Sequence, residues 1–158
     1  MVRDVGFVGD ESGTFYAFDA SNGTIMWTTY VGYYISTCGD LPRGYYGVTG
    51  SAVFNRTINT VYVMGGNGTF YALSMKTGAV IWQLPKVYNS MVLTNYGALL
   101  LVNGMIYAPL ASRCDFYNYK GQVMVISVAQ RKVVTQFFPS GTSYGGGVWG
   151  LGMLSYSH

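Results

Sequence analysis

Residues 14–27 read TFYAFDASNGTIMW, and residues 69–82 read TFYALSMKTGAVIW. Laid over each other, Trp27 falls on Trp82, Gly23 on Gly78, Ala17 on Ala72 and Gly13 on Gly68, every pair 55 residues apart. The register continues upstream, where Phe7-Val8 matches Tyr62-Val63. A third, eroded copy, GQVMVISVAQRKVVT at residues 121–135, lies over residues 68–82 at an offset of 53. Its upstream strand, Met105-Ile106-Tyr107, matches Thr60-Val61-Tyr62 at an offset of 45, so an eight-residue insertion around ASRCDFYNYK separates the two. A period of this length in strand-rich sequence predicts a propeller or a similar array of sheets.

Each unit divides into four short strands. In the second they are Ser51–Asn55, Thr60–Met64, Thr69–Leu73 and Ala79–Gln83. Gly66-Asn67-Gly68 and Lys76-Thr77-Gly78 supply the positive φ that tight hairpin turns require. In the third unit they are Ala98–Val102, Met105–Ala108, Gln122–Ser127 and Val133–Phe138, with Asn103-Gly104 closing the first hairpin. The fold class expected is all-β: antiparallel four-stranded blades of a propeller. The first blade is partial (4–29), the second spans 47–83 and the third 97–138, and the first strand of a further blade lies at 147–155.

Composition agrees. The chain has 158 residues, half of them hydrophobic and only 9% charged, with 15 tyrosines and 22 glycines. Such usage suits pleated strands and tight turns, not helices. The net charge of +3 is spread over single basic residues, which argues against a nucleic-acid footprint. Residues 87–112 carry no charge, but Asn89, Asn95, Asn103-Gly104 and Pro109 interrupt them. They read as two buried strands and not as a transmembrane segment. The N-terminal MVRDVGFVGDES is too short in its apolar part for a secretory signal.

The string Ala17-x-Asp19-x-x-Asn22-Gly23-x-x-x-Trp27 resembles the tryptophan-docking motif of PQQ-like (quinoprotein-type) β-propellers, A-x-D-x-x-T-G-x-x-x-W. The string Ala72-x-Ser74-x-x-Thr77-Gly78-x-x-x-Trp82 is a second match, with serine for the acid. The third copy has Arg131 at the glycine and Thr135 at the tryptophan. The resemblance covers nearly the whole chain and implies that Trp27 and Trp82 dock each blade on the next. It also implies an extracellular or periplasmic location. Aromatic residues of the repeats are first of all core.

Counting strands leaves an incomplete ring. The first unit starts at its second strand, and Val148–Leu154 is patterned as the first strand of another blade, giving about three blades where closed rings have four to eight. Either the chain is a piece of a longer protein, or copies associate to complete the propeller.

Candidate chemistry is sparse. The one histidine is His158, so triads and His-rich metal sites are not expected. Cys38 and Cys114 lack C-x-x-C spacing. Their two connections emerge on one face of a propeller, so a disulfide is expected in an oxidising compartment; the plain alternative is two unrelated thiols. Asn22, Asn55 and Asn67 open N-x-[ST] sequons and are candidate glycosylation sites, although turn chemistry alone also places asparagine there. Asp10-Glu11 and Asp115 could serve calcium, or simply their turns. PQQ-dependent dehydrogenases hold the quinone with calcium, a catalytic aspartate and a ring of vicinal cysteines, none of which is matched here. No cofactor, metal or catalytic residue is therefore expected. The long connections offer a candidate binding face of Arg43, Tyr45, Tyr46, Arg113, Asp115, Tyr117 and Trp149, residue types that anchor interfaces. The function expected is a non-catalytic extracytoplasmic scaffold for binding or assembly. The alternative is a fragment of a PQQ-dependent alcohol or sugar dehydrogenase whose catalytic residues lie outside this chain, with PQQ and calcium as cofactors only under that reading.

Overall fold

The computed structural model describes residues 4–38, 41, 43–115, 118–149, 154, 155 and 157. It is all-β. Strands β1 (Val5–Gly9), β2 (Thr14–Asp19) and β3 (Ile25–Tyr30) make an antiparallel sheet in that order. A two-residue-stranded hairpin follows, β4 (Tyr34–Ile35) with β5 (Tyr45–Tyr46). The second blade is complete: β6 (Val53–Asn55), β7 (Thr60–Met64), β8 (Phe70–Ser74) and β9 (Val80–Leu84). The third takes β10 (Leu93–Thr94), β11 (Leu100–Val102), β12 (Met105–Ser112), β13 (Gln122–Ser127) and β14 (Lys132–Phe137). Here β11-β12-β13-β14 form the blade, and β10 pairs with the far end of β12. The arrangement is a partial propeller of three blades. No helix among the described residues is long and apolar enough to cross a membrane.

Burial along the strands reports where each blade sits in the stack. In β2 alternate residues are buried, as in a sheet covered on one face. In β7 every residue is buried, because blades lie against both faces of the second sheet. The outer strand β14 is largely exposed. Two cores result. One joins the first two blades through Phe15, Ala17, Trp27, Val61, Val63 and Leu73. The other joins the second and third through Tyr62, Phe70, Ala72, Ile106, Met124 and Ile126.

The repeated residues form a row across each blade. Phe7 faces Ala17, which faces Trp27; Tyr62 faces Ala72, which faces Trp82. Alanine at the centre leaves room for the large rings on either side. Right after it the register slips by a bulge between Ala17 and Phe18, between Ala72 and Leu73, and between Val125 and Ile126 in the third blade. The bulge sharpens the local twist of the outer strand. The third row is Tyr107, Val125, Thr135, with no indole.

Docking at the first junction is visible atom by atom. Trp27 is 9% exposed, its Nε1 donates to Met75 O of the next blade at 3.0 Å, and Thr29 Oγ1 donates to Gly78 O at 2.7 Å. Gly78 has φ +73, and a Cβ there would meet Trp27 Cε3 at 2.5 Å. Glycine is therefore required twice, by backbone conformation and by the indole lying on it. Gly23 takes the same conformation, φ +76, with nothing over it. At the second junction Trp82 lies by Arg131, whose guanidinium is 5.9 Å from the indole centroid. Arg131 keeps the left-handed φ of +49 although it is not glycine. The carboxylate of Asp19 accepts from Ser21 N at 2.9 Å, closing the turn before Gly23.

The expected strand Met105–Ala108 ends too early, and another expected strand falls partly outside the described residues. The stretch Pro109–Ser112 is not connection but the continuation of β12, because it pairs with β13 on one side and β10 on the other. Of Val148–Leu154, residues 150–153 lie outside the described residues, and Gly147–Trp149 is irregular backbone. Val148 N nevertheless donates to Leu110 O at 3.2 Å, as Val48 N donates to Asp10 O at 3.0 Å on entering the second blade.

Tyr62 yields a test of the core. Its side chain is fully buried, its hydroxyl has no partner, and burial pushes the phenol pKa up. The matching position of the first blade is Phe7. Tyr62→Phe is expected to raise stability by about 1 kcal/mol, since an unsatisfied buried hydroxyl is removed. A loss of stability in urea denaturation would show that the hydroxyl is satisfied after all.

Candidate binding surface on the loop face

The connections between blades and the β1–β2, β7–β8 and β12–β13 turns gather at one end of the stack. Glycine sets their geometry: Gly13 at φ +82 and Gly68 at φ +83 close equivalent turns, with Asp10 N donating to Thr14 O at 3.0 Å and Gly65 N donating to Thr69 O at 2.8 Å. Asp10 caps its own turn. Burial pushes its carboxyl pKa up, but Ser12 Oγ, Thr14 N and Tyr16 OH donate to it and hold it below the usual value. Asn22, Asn55 and Asn67 each accept from the backbone N–H two residues on, at 2.9, 3.0 and 3.0 Å. These are Asx turns, the backbone reason for asparagine at all three sequons.

Cys38 and Cys114 meet in a disulfide with Cα atoms 5.9 Å apart, tying the connection that leaves the first blade to the insertion of the third. Ser36 Oγ and the Tyr46 hydroxyl flank the sulfurs, at 3.2 and 3.2 Å from Cys38 Sγ. Beside it lies Arg113, 0% exposed. Its guanidinium is held between the rings of Tyr34 and Tyr46, at 4.6 and 4.4 Å from their centroids, and Nη2 donates to Gly66 O at 3.2 Å. Burial lowers its pKa, and the phenols of Tyr88, Tyr96, Tyr46 and Tyr34 oppose that shift. Its Nε and Nη1 have no partner. Planar stacking on two rings is available to arginine and not to lysine. Tyr88 lies in the same layer, its hydroxyl donating to Gly65 O at 3.0 Å, and burial pushes its pKa up to about 12.

The residues singled out from sequence therefore separate. Tyr46 and Arg113 are buried and join loops to one another. Arg43 and Asp115 are exposed, and Asp115 has the left-handed φ of +48. Tyr45 packs edge-on to Tyr33 at 4.8 Å, and Trp149 stacks on Tyr96 at 4.9 Å while remaining 52% exposed. Tyr117 and His158 lie outside the described residues.

Next to this fixed layer opens a groove of about 860 Å³. The β9–β11 connection supplies Lys86, Tyr88, Asn89 and Met91; the insertion and β13 supply Asn118, Tyr119, Lys120 and Gln122; Gln136, Phe138 and Tyr144 close the far side. Sequence reasoning missed Gln122 and Lys86. A lone polar residue opening the apolar β13 was the one available signal for Gln122. Among the described residues no group of three or more His, Cys, Asp or Glu could hold a metal ion.

Comparison with known proteins accords with the fold. The family described as outer membrane protein assembly factor BamB matches residues 2–144. BamB from Moraxella catarrhalis is 21% identical with a TM-score of 0.53, over 86% of this chain and 34% of its own. The quinohemoprotein alcohol dehydrogenase ADHIIG of Pseudomonas putida HK5 is 21% identical with a TM-score of 0.62, over 87% of this chain and 19% of its own. A europium-containing methanol dehydrogenase is 16% identical with a TM-score of 0.62, over 87% of this chain and 23% of its own. The chain thus spans about a third or less of the length of each. None of the curated protein sequences matches significantly. With two docking motifs in register and a match over residues 2–144, the chain belongs to the PQQ-like β-propeller repeat family described by BamB.

Proposed function

We propose that this chain is part of an extracytoplasmic scaffold that holds a protein partner on its loop face and performs no chemistry of its own. The observation that carries the reading is the tying of loops from all three blades into one surface. The disulfide joins the first connection to the third blade, and Arg113 bonds Gly66 of the second blade while stacked between Tyr34 and Tyr46. A surface fixed before binding loses little ordering entropy on association. The family description, an assembly factor of the outer membrane, points the same way. So does a disulfide, a bond of oxidising compartments. The uncovered Gly23 shelf and the open third-blade face, lined by Leu100, Tyr107, Val125 and Phe137, are where further blades or a second copy complete the ring.

The second reading, a segment of a PQQ-dependent alcohol or sugar dehydrogenase, is supported by fold likeness alone. The described residues do not fit the quinone with calcium. The disulfide joins cysteines 76 residues apart, not neighbours, and no cluster of acids gathers near it. A dye-linked assay with added pyrroloquinoline quinone, calcium and alcohols or aldoses is expected to show no turnover. Turnover would replace the scaffold reading with the dehydrogenase one.

A further inference from the structure

We propose that the loop-face groove between the β9–β11 connection and the third-blade insertion binds an extended peptide segment rich in Asp and Glu. The proposal rests on the scaffold reading and names the site and the chemistry of the partner. Three observations carry it.

The first is charge. Lys86 and Lys120 line the groove on different segments, and among the described residues no Asp or Glu lines it. Lys120 Nζ lies over the face of Tyr144, 5.9 Å from the centroid. Two uncompensated ammonium groups in one concave site favour a ligand with carboxylates.

The second is Gln122. It is only 6% exposed and lines the groove, in a strand whose same-side neighbours Met124 and Ile126 belong to the core. Its backbone is in the sheet, paired to Leu110, but its side-chain amide makes no hydrogen bond within the described residues. A carboxamide on a mostly buried residue, reached from the groove and with acceptor and donors open, is the complement of a peptide group, which offers one N–H and one C=O. Two of the other lining amides are partly occupied: Asn67 Oδ1 accepts from Thr69 N and Asn89 Oδ1 from Met91 N, each at 3.0 Å.

The third is that the walls are set before anything binds. Val87 N donates to Gly68 O at 2.8 Å, Gly121 N to Gly145 O at 2.8 Å and Gly145 N to Tyr119 O at 2.9 Å. Tyr119, Tyr144, Met91 and Phe138 provide apolar surface for side chains between the acids. A neutral oligosaccharide would answer the rings and amides but leave both lysines unmatched. A nucleic acid would need a basic cluster that the chain lacks.

The test pans random dodecapeptides displayed on phage against the intact, disulfide-bonded chain. Enriched peptides are expected to be acidic, and a synthetic winner should bind about tenfold more weakly when its acids become amides. Gln122→Leu, close in size, should weaken it by about tenfold, and Lys86→Glu with Lys120→Glu by about a hundredfold. Thermal melting of each variant checks the fold. Winners that bind all variants equally sit elsewhere on the loop face; the groove proposal then falls while the scaffold reading stands. Uncharged winners, or saturable binding of maltoheptaose lost in Gln122→Leu, overturn the acidic-peptide class. No enrichment at all defeats the groove proposal, and only if quinone-dependent turnover accompanies it does the scaffold reading fall with it.

Discussion

Trp27→Ala is expected to lower the stability of the chain by about 3–5 kcal/mol, the range for large aromatic truncations in a packed core. The indole is 9% exposed, lies on Gly78, and closes the junction of the first two blades through Met75 O. Removing it strands that carbonyl and opens a void in the core shared by the first two sheets. Trp82→Ala should cost less, because Trp82 is only part-buried and faces Arg131 in place of a glycine. Urea denaturation of both variants measures the order. A loss below about 1 kcal/mol at Trp27 would mean that the blades hold together by other contacts.

Cys114→Ser should cost about 4 kcal/mol. The bond closes a loop with a sequence separation of 76, and the chain-entropy estimate rises with the length of that loop. The same loss should follow reduction of the wild-type protein, and equilibrium denaturation with and without dithiothreitol reads it directly. An unchanged midpoint on reduction would show that the loop face keeps its structure in the unfolded ensemble or needs no cross-link.

The blades were legible in sequence because their determinants are local and repeated. Gly78 marks a turn of positive φ, Ala72 the crowded centre of a row, and Trp82 the residue that reaches the next sheet. Asn103-Gly104 marked its hairpin equally well, with φ values of +48 and +74. The loop face was legible only in part, since its determinants are long-range. Arg113 reads as a displayed cation, yet it is buried because β12 runs on to Ser112 and delivers it beneath Tyr34 and Tyr46. Nothing within a few residues of Arg113 announces those rings, which come from a hairpin of two-residue strands far upstream. Arg131 is the reverse case. The glycine is lost from the motif, but the turn still imposes the left-handed backbone, so the pattern fades while the geometry persists.

The placement of the disulfide also determines how the molecule carries load. A pull applied at the two ends runs from Cys38 straight across the sulfur bridge to Cys114, and all of the second blade lies off that line. The first blade and the outer strands of the third peel under tension, while the backbone of β6 to β9 is not stretched along the chain. About 250 Å of contour stays hidden behind the bridge, counting the enclosed residues at full extension. The central blade is thus shielded from stretching by a covalent shunt, and reduction alone would expose it to force.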